Sequence, residues 1–282
     1  MTRALRLSGL LVILLTSSIA GDDQPLFQAD FESKSSGEPY RPEYWSEEGL
    51  VHPEWTDSFG DEPNGRTFVD DRHPRGDSRQ SLKVLYPQGA VGPLEGGAQA
   101  ALRLPPRQEY YTSYWLRFAE AFSWGGTDHG GKLPGLGATQ LSSGGMASNG
   151  TDGFTARLMW VSNGDAILYL YHMDKPHKWG EAFPLRNPDG SQVKFEPERW
   201  YQVTIRTRIN TGQNADGEVD VWINQHPALQ LDSLRFVTNG DLIDTLYFST
   251  FHGGNTPSWG PLRDSAIHFD DFKVGPTFES VK

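Results

Sequence analysis

The feature that most constrains this sequence is an apolar alternation with a period of two residues, repeated along the chain. In the clearest run, 110–118, Tyr114, Leu116 and Phe118 fall on one face and Arg117 falls on the other. Successive side chains of a strand point to opposite faces, so this pattern predicts strands. The 31 glycines and 19 prolines agree with many short strands joined by turns. No run has a convincing helical period.

The alternating runs together predict an all-β fold, a single jelly-roll β-sandwich of antiparallel sheets with a substrate groove on one sheet. No linker divides the chain, so residues 21–282 are predicted to form one domain. The segment 44–55 is expected to be a loop with aromatic anchors. The predicted strands are 26–32, 81–86, 98–104, 110–118, 154–161, 166–173, 199–209, 218–224, 242–251 and 266–274.

The first twenty residues have the pattern of a secretory signal, which predicts a secreted or periplasmic protein. Arg3 and Arg6 precede the apolar run 10–15, and Ser18-Ile19-Ala20 ends it with small residues. This run is too short to span a membrane, and no other is long enough. The chain has no cysteine, which excludes a disulfide scaffold, and its formal charge of −11 argues against a nucleic-acid partner. We expect a monomer with no membrane partner.

The stretch from Gly130 to Met173 concentrates the residues that can carry chemistry. Its first part, Gly-Gly-Lys-Leu-Pro-Gly-Leu at 130–136, is interpreted as a glycine-framed loop that carries Lys132. Its last part predicts a hairpin of strands 154–161 and 166–173. Arg157 lies on the first strand, and Tyr169 and Tyr171 lie on the second.

Burial decides the register of this hairpin. If Leu158 and Trp160 share a core with Leu168 and Leu170, even positions pair with even positions. Arg157 then lies on the same face as both tyrosines, and the turn needs three residues, with Gly164 as a bulge. A two-residue Asn163-Gly164 turn would instead bury the arginine among leucines without compensation, so the longer turn is favoured.

A cationic groove with two phenols suits an anionic polysaccharide made of uronic acids. Cleavage by elimination needs a cation near the carboxylate, a base for the C5 proton and an acid for the departing glycosidic oxygen. Tyrosine can perform both proton transfers if nearby cations lower its pKa from about 10. Lys132, Arg157, Tyr169 and Tyr171 supply this set without a cofactor.

Several motifs resemble polysaccharide lyase family 14, which includes alginate and glucuronate-polymer lyases. The sequence is also similar to the family 20 glucuronan lyases, which share a jelly roll and the Gly-Gly-Lys-Leu-Pro-Gly stretch. The likeness covers roughly residues 80–275. The motifs are Gly-Gly-Lys-Leu-Pro-Gly-Leu at 130–136, Ala-Arg-Leu-Met-Trp at 156–160, Tyr-Leu-Tyr at 169–171, Phe-His-Gly-Gly at 251–254 with Trp259, and Phe-Asp-Asp-Phe at 269–272.

The resemblance implies that Lys132 and Arg157 contact the uronate and that Tyr169 or Tyr171 transfers the protons. Tyr171 is assigned as the base and acid. Members of family 14 can carry a catalytic histidine in the loop between the lysine and the arginine, and this loop has none. The residues expected to take its place are Gln99, Gln140 and Asn149.

The remaining predictions concern binding and metals. Arg117 and His252 are predicted to contact substrate. Glu32 and Asp271 could meet on adjacent strands and hold a structural Ca²⁺. The histidines at 129, 172, 177 and 252 form no recognisable zinc pattern.

Two other functions are compatible with an aromatic β-sandwich. A glycoside hydrolase would need two carboxylates about 5–10 Å apart, and the hairpin offers tyrosines instead. A non-catalytic carbohydrate-binding module would keep the aromatic residues but would have no need for two cations beside two phenols.

Overall fold

The computed structural model describes residues 23–47, 53–60, 65–138, 140–161 and 163–282. The predicted signal segment therefore lies outside the described residues. The strands are β1 (Phe27–Ala29), β2 (Trp55–Asp57), β3 (Thr67–Asp70), β4 (Ser81–Tyr86), β5 (Ala98–Arg107), β6 (Glu109–Phe118), β7 (Gly130–Gly137), β8 (Thr155–Val161), β9 (Asp165–Tyr171), β10 (Glu181–Pro184), β11 (Trp200–Arg208), β12 (Gly217–Ile223), β13 (His226–Leu234), β14 (Ile243–His252) and β15 (Ser265–Gly275). The helices are α1 (Pro42–Glu47) and α2 (Phe278–Val281), and a 3₁₀ turn spans Pro257–Trp259.

Two antiparallel sheets enclose the core, which confirms the predicted all-β sandwich. Sheet A has the order β13-β12-β11-β6-β15-β4-β3, with β1 also paired to β15. Sheet B has the order β10-β9-β8-β7-β14-β5-β2. Each order combines sequential hairpins with neighbours that are distant in sequence, such as β6 with β15 and β7 with β14, as in a jelly roll. No helix in the described part of the chain is long and apolar enough to cross a bilayer.

The alternating residues fill the space between the sheets, as predicted. Tyr114, Leu116 and Phe118 from β6 are fully buried, and so are Leu158 and Trp160 from β8. They belong to one continuous hydrophobic cluster with residues from both sheets. The Tyr114 hydroxyl crosses this core and donates a hydrogen bond of 3.0 Å to the carbonyl oxygen of Pro134 in β7. The strand period therefore places the apolar residues in a single shared core.

The β8–β9 hairpin has the predicted register. Arg157 pairs with Tyr169, Leu158 pairs with Leu168, and Val161 pairs with Asp165, so three residues of the sequence separate the paired strands. Gly164 has a φ of 98°, a conformation that favours glycine. The predicted three-residue loop is confirmed, and Arg157 shares the outer face of sheet B with both tyrosines.

The glycine-rich segment 130–136 is not a loop, so that prediction was wrong. It forms β7, which lies between β8 and β14 in the middle of sheet B. A Cβ atom on Gly131 would lie 1.9 Å from the Trp160 ring, and one on Gly135 would lie 2.0 Å from the carbonyl oxygen of Ala156. Glycine is therefore needed here because neighbouring groups approach the strand closely. Pro134 is tolerated because it sits at a register shift between Lys132 and Gly135.

The N-terminal half departs from prediction in two further ways. The first strand is shorter than predicted, and α1 occupies part of the segment expected to be a loop. The Trp45 side chain of α1 is fully buried and packs 5.3 Å from Tyr40 and 5.5 Å from Phe248, measured between ring centroids. Tertiary packing of one indole, not helical periodicity, holds this short helix in place. The sequence also did not reveal β2, β3, β10 and β13.

Candidate active site

The outer face of sheet B brings together the four residues predicted to be catalytic. Lys132 pairs with Met159 across β7 and β8, and Arg157 pairs with Tyr169 across β8 and β9. The Lys132 ammonium lies 4.1 Å from the centroid of the Tyr169 ring. We call this surface, defined by Lys132, Arg157, Tyr169 and Tyr171, the cationic face.

Arg157 is the most deeply placed cation of this face, with 2% of its surface exposed. Its side chain extends towards β14, where Nη1 donates a 2.9 Å hydrogen bond to the Ser249 hydroxyl. The guanidinium carbon lies 4.8 Å from the centroid of the Tyr247 ring, and Nε is buried without a hydrogen-bond partner. Within the described ranges, no carboxylate forms an ion pair with Arg157. A buried cation without an acid partner is costly, so this site is suited to an external anion.

Lys132 is half-buried, and its ammonium also lacks an acidic partner among the residues with described positions. Nζ donates to the Met159 sulfur at 2.9 Å. Burial and then the positive charge of Arg157 lower the pKa of Lys132 well below its usual value. Both causes disfavour the charged amine. The free protein can therefore present Lys132 as a neutral amine at a lower pH than an exposed lysine would allow.

The two tyrosines are held by backbone N–H groups of two loops. The Tyr169 hydroxyl accepts a hydrogen bond of 3.0 Å from Gly180, and the Tyr171 hydroxyl accepts one of 3.0 Å from Gly145. Their rings meet edge to face with centroids 5.6 Å apart. Each hydroxyl that accepts a backbone N–H keeps its own proton available for another acceptor.

The expectation that nearby cations lower the tyrosine pKa is wrong for Tyr169. Burial is the largest effect and raises the pKa of Tyr169, and the neighbouring Tyr171 raises it further. The charge of Arg157 lowers it only in part. The Tyr169 hydroxyl therefore stays protonated, which makes it a poor base near neutral pH.

Gln99 lies close to the cationic face and is connected to Arg157 through the Tyr247 side chain. Its side-chain oxygen accepts a 2.7 Å hydrogen bond from the Tyr247 hydroxyl, and its Nε2 donates to Asp57 at 2.6 Å. Sequence reasoning missed Tyr247 and Ser249. The alternation of β14 contains the signal, because Tyr247 and Ser249 face outwards between the buried Leu246, Phe248 and Thr250.

Gln140 and Asn149 are exposed in the segment between β7 and β8. The Asn149 side-chain oxygen accepts hydrogen bonds of 2.8 Å from the backbone N–H and from the hydroxyl of Thr151. This arrangement stabilises a local turn. The same segment reaches the cationic face through Gly145, not through either predicted amide.

Two predicted substrate contacts are wrong because they lie elsewhere in the sandwich. Arg117 is on β6 of sheet A, and its guanidinium lies 3.7 Å from Glu198. His252 is fully buried on the inner side of β14, with its ring 5.4 Å from Trp160 and 5.6 Å from Tyr86. Strand periodicity separates the two faces of a sheet but does not say which sheet a face belongs to.

The buried His252 makes the fold sensitive to acid. Burial lowers the pKa of His252 from 6.5 to about 4. A histidine whose pKa is lower in the folded protein than in the unfolded chain destabilises the fold in acid. For His252 the stability lost as pH falls from 6.5, the unfolded pKa, to about 4, the folded pKa, is about 3 kcal/mol. Replacing His252 with phenylalanine is expected to flatten this acid dependence in urea unfolding measured across that range.

The comparison of wild type with the variant isolates His252, because Asp270 titrates in both proteins. Burial raises the pKa of Asp270 to about 7, and its effect has the opposite sign. His177→Phe, at an exposed histidine, is the matched control. An unchanged acid dependence in His252→Phe would contradict the assignment.

Glu32 and Asp271, the predicted calcium ligands, have different hydrogen-bond and ion-pair partners. Glu32 accepts hydrogen bonds from the backbone and side chain of Arg79 at 2.7 and 2.9 Å. Asp271 accepts one from Gln28 at 3.1 Å and lies 3.1 Å from the Lys273 ammonium. Each carboxylate already has a separate cationic neighbour, so the geometry does not support the predicted pair.

Comparison with known proteins places the chain among polysaccharide-cleaving enzymes. The family model described as Polysaccharide lyase 14 matches residues 74–272. The solved alginate lyase Aly36B is 25% identical, with a TM-score of 0.72 over 89% of this chain and 97% of that one. No protein of curated function matches the sequence.

Two more distant structures share the fold. The marine PL-14 alginate lyase from Aplysia kurodai is 21% identical, with a TM-score of 0.67 over 90% of this chain and 100% of that one. The endo-β-1,4-glucuronan lyase from the fungus Trichoderma reesei is 12% identical, with a TM-score of 0.54 over 88% of this chain and 98% of that one.

Proposed function

Because this chain belongs to polysaccharide lyase family 14 and is a polyuronate lyase, we propose that it cleaves alginate, with a preference for polymannuronate, by β-elimination. The substrate part of the proposal is supported by the likeness to Aly36B, which is an alginate lyase. Glucuronan is the competing substrate, and the assay below distinguishes the two.

The observation that carries the proposal is a pair of cations that have no acidic partner among the described residues. Lys132 and Arg157 lie on one face beside two tyrosines, and the charge of Arg157 disfavours the charged form of Lys132. A uronate carboxylate would supply the missing negative charge. A cation that is already in place would then stabilise the negative charge that develops at C5 and on the carboxylate.

We assign three roles in the elimination, with Lys132 as the base in place of Tyr171, which keeps only the role of acid. Arg157 stabilises the carboxylate through its guanidinium group. Lys132, as a neutral amine, takes the C5 proton, and the C5–H electron pair forms the C4=C5 double bond. The C4–O bond breaks, and its oxygen receives a proton from the Tyr171 hydroxyl. Every proton and electron pair is thus accounted for by side chains of this chain.

The choice of Tyr171 over Tyr169 follows from their environments. The raised pKa of Tyr169 makes its proton harder to transfer. Tyr171 is only 1% exposed, and the Gly145 N–H meets its hydroxyl. A bound polymer therefore has to displace the segment around Gly145 before the hydroxyl reaches the glycosidic oxygen.

Exposed tryptophans at both edges of sheet B support binding of an extended polymer. Trp55 on the edge strand β2 is 37% exposed and lies 5.9 Å from Tyr247. Trp179, next to β10, is 50% exposed, and Lys178 lies over its ring at 5.1 Å. With neighbouring strands about 4.8 Å apart, the two rings flank a surface several sugar units long. Flat rings of this kind stack on sugar faces.

The test is incubation of the protein with polymannuronate, polyguluronate and glucuronan, followed by ultraviolet absorbance of the unsaturated uronate. We expect absorbance to grow fastest with polymannuronate. Faster growth with glucuronan would overturn the substrate assignment. New reducing ends without absorbance would indicate hydrolysis, and binding without either product would indicate a carbohydrate-binding module.

We also propose that the protein is secreted or periplasmic and acts as a monomer without a catalytic cofactor. Amino-terminal sequencing of exported protein is expected to begin at Gly21. Size-exclusion chromatography with light scattering is expected to give the mass of one chain.

A further inference from the structure

An Asp–His–His cluster lies on sheet A, the sheet opposite the cationic face. It consists of Asp70 at the end of β3, His73 in the following segment and His268 in β15. One ligand atom from each residue lies within 4.8 Å of the others. Asp70 Oδ2 is 2.7 Å from His73 Nδ1 and 3.5 Å from His268 Nε2.

His268 is the part of this cluster that hydrogen bonding within the protein leaves unexplained. It is 1% exposed, and both of its ring nitrogens are buried without a hydrogen-bond partner. A buried polar atom without a hydrogen-bond partner destabilises the folded protein. Its Nε2 faces the Asp70 carboxylate but does not form a well-aligned hydrogen bond with it. The ring is therefore arranged as a ligand is, with a nitrogen directed at a shared point.

The donor set selects a class of ion. Two imidazoles and one carboxylate suit Zn²⁺ and not Ca²⁺, which prefers oxygen ligands. Zinc ligands at about 2.0–2.2 Å from a tetrahedral centre lie about 3.4 Å from one another, so small shifts would close the cluster around an ion. The His73 side chain is 35% exposed, which leaves an entry path and room for water as the fourth ligand.

We propose that Asp70, His73 and His268 bind a structural Zn²⁺ ion. The ion would fasten the segment between β3 and β4 to sheet A. The same segment is already anchored by Arg75, whose guanidinium lies 4.8 Å from the Trp115 ring and 3.4 Å from Asp270. The metal supplies a second anchor near the start of that segment.

Neighbouring cations limit the affinity of the site. Lys83 and Arg117 pair with His268 on the two adjacent strands, and both disfavour an additional positive charge. The His73 and His268 rings also lie in contact, with centroids 4.5 Å apart, so both rings adjust together on binding. We therefore expect a site that a strong chelator empties without unfolding the protein.

The test uses the full chain, stripped with a chelator and dialysed, then titrated with ZnCl₂ by calorimetry. We expect one Zn²⁺ per chain, a Tm that rises by about 5 °C or more at saturation, and visible absorption typical of four-coordinate Co²⁺ after cobalt substitution. Lyase activity is expected to stay the same, because the cluster and the cationic face lie on different sheets.

Two variants keep the test interpretable. His73→Ala removes a half-exposed ligand without disturbing the core, and His268→Asn removes the buried one. Both are expected to lose zinc binding and the Tm rise, whereas His226→Ala, at an exposed histidine on β13, is expected to keep them. Absence of binding by the wild type, or binding that persists in His73→Ala and His268→Asn, would overturn the proposal and leave a hydrogen-bonded cluster without metal.

Discussion

Replacing Lys132 with either arginine or alanine is expected to lower kcat by about 10³-fold or more. Arginine keeps the positive charge but cannot give up its proton near neutral pH, so it cannot act as the base. A lysine that only binds the carboxylate would be replaced by arginine with a much smaller loss. The measurement is the initial rate of ultraviolet absorbance at saturating substrate, together with KM.

The pH profile gives an independent reading of the same residue. The neutral amine is the active form, so kcat/KM is expected to rise with pH through the lowered pKa of Lys132. This rise of kcat/KM with pH should be missing from the residual activity of Lys132→Arg and of Lys132→Ala. Substantial activity in Lys132→Arg, with a wild-type pH profile, would contradict the assignment of Lys132 as the base. Lys132 would then be a residue that binds the carboxylate.

Loss of activity at Lys132 is expected without loss of stability. Because its pKa is lowered in the folded protein, the charged lysine costs stability below that lowered value. The cost disappears as pH rises towards the usual lysine value. Lys132→Met is therefore expected to have a Tm at neutral pH at least equal to that of wild type, which separates a catalytic defect from unfolding.

Replacing Tyr171 with phenylalanine is expected to lower kcat by about 10²–10⁴-fold, the range of a lost general acid. The change removes one oxygen and leaves the ring in place against Tyr169. KM is expected to change little, because the hydroxyl acts in the transition state and not in binding. Single-substrate kinetics on polymannuronate provides both constants.

Tyr169→Phe is the matched control, because it removes the same atom two residues away on the same strand. Each tyrosine hydroxyl accepts one backbone N–H, from Gly145 or Gly180, so the structural cost of the two changes is similar. We expect the smaller kinetic defect at Tyr169. The reverse order would transfer the acid role to Tyr169, and near-normal rates in both variants would remove the tyrosines from the chemistry.

Alternation along the strands was sufficient to predict the sandwich and the hairpin at its active face. The four apolar residues at 158, 160, 168 and 170 required one register, and that register set Arg157 opposite Tyr169. This inference succeeded because a shift of one residue would have exposed the whole apolar set. The signal is local, since both strands and their turn lie within about twenty residues.

The same reasoning failed where a residue's role depends on distant neighbours. The glycines of β7 are required by Trp160 and Ala156 of the adjacent strand, so composition alone indicated a loop. Arg117 and His252 have the residue types of a binding site, but one lies on the other sheet and one points into the core. No pattern within either strand distinguishes these outcomes.

The sequence by itself determined that the chain forms antiparallel strands, that Arg157 and the two tyrosines share a face, and that its motifs are those of a polyuronate lyase. It did so because strand parity and motif order are properties of neighbouring residues. Only the tertiary structure decided that Lys132 reaches this face from the middle of sheet B, that Tyr247 and Ser249 hold Arg157, and that burial lowers the Lys132 pKa. These features arise from contacts between strands far apart in the chain, and desolvation exists only once those strands have packed.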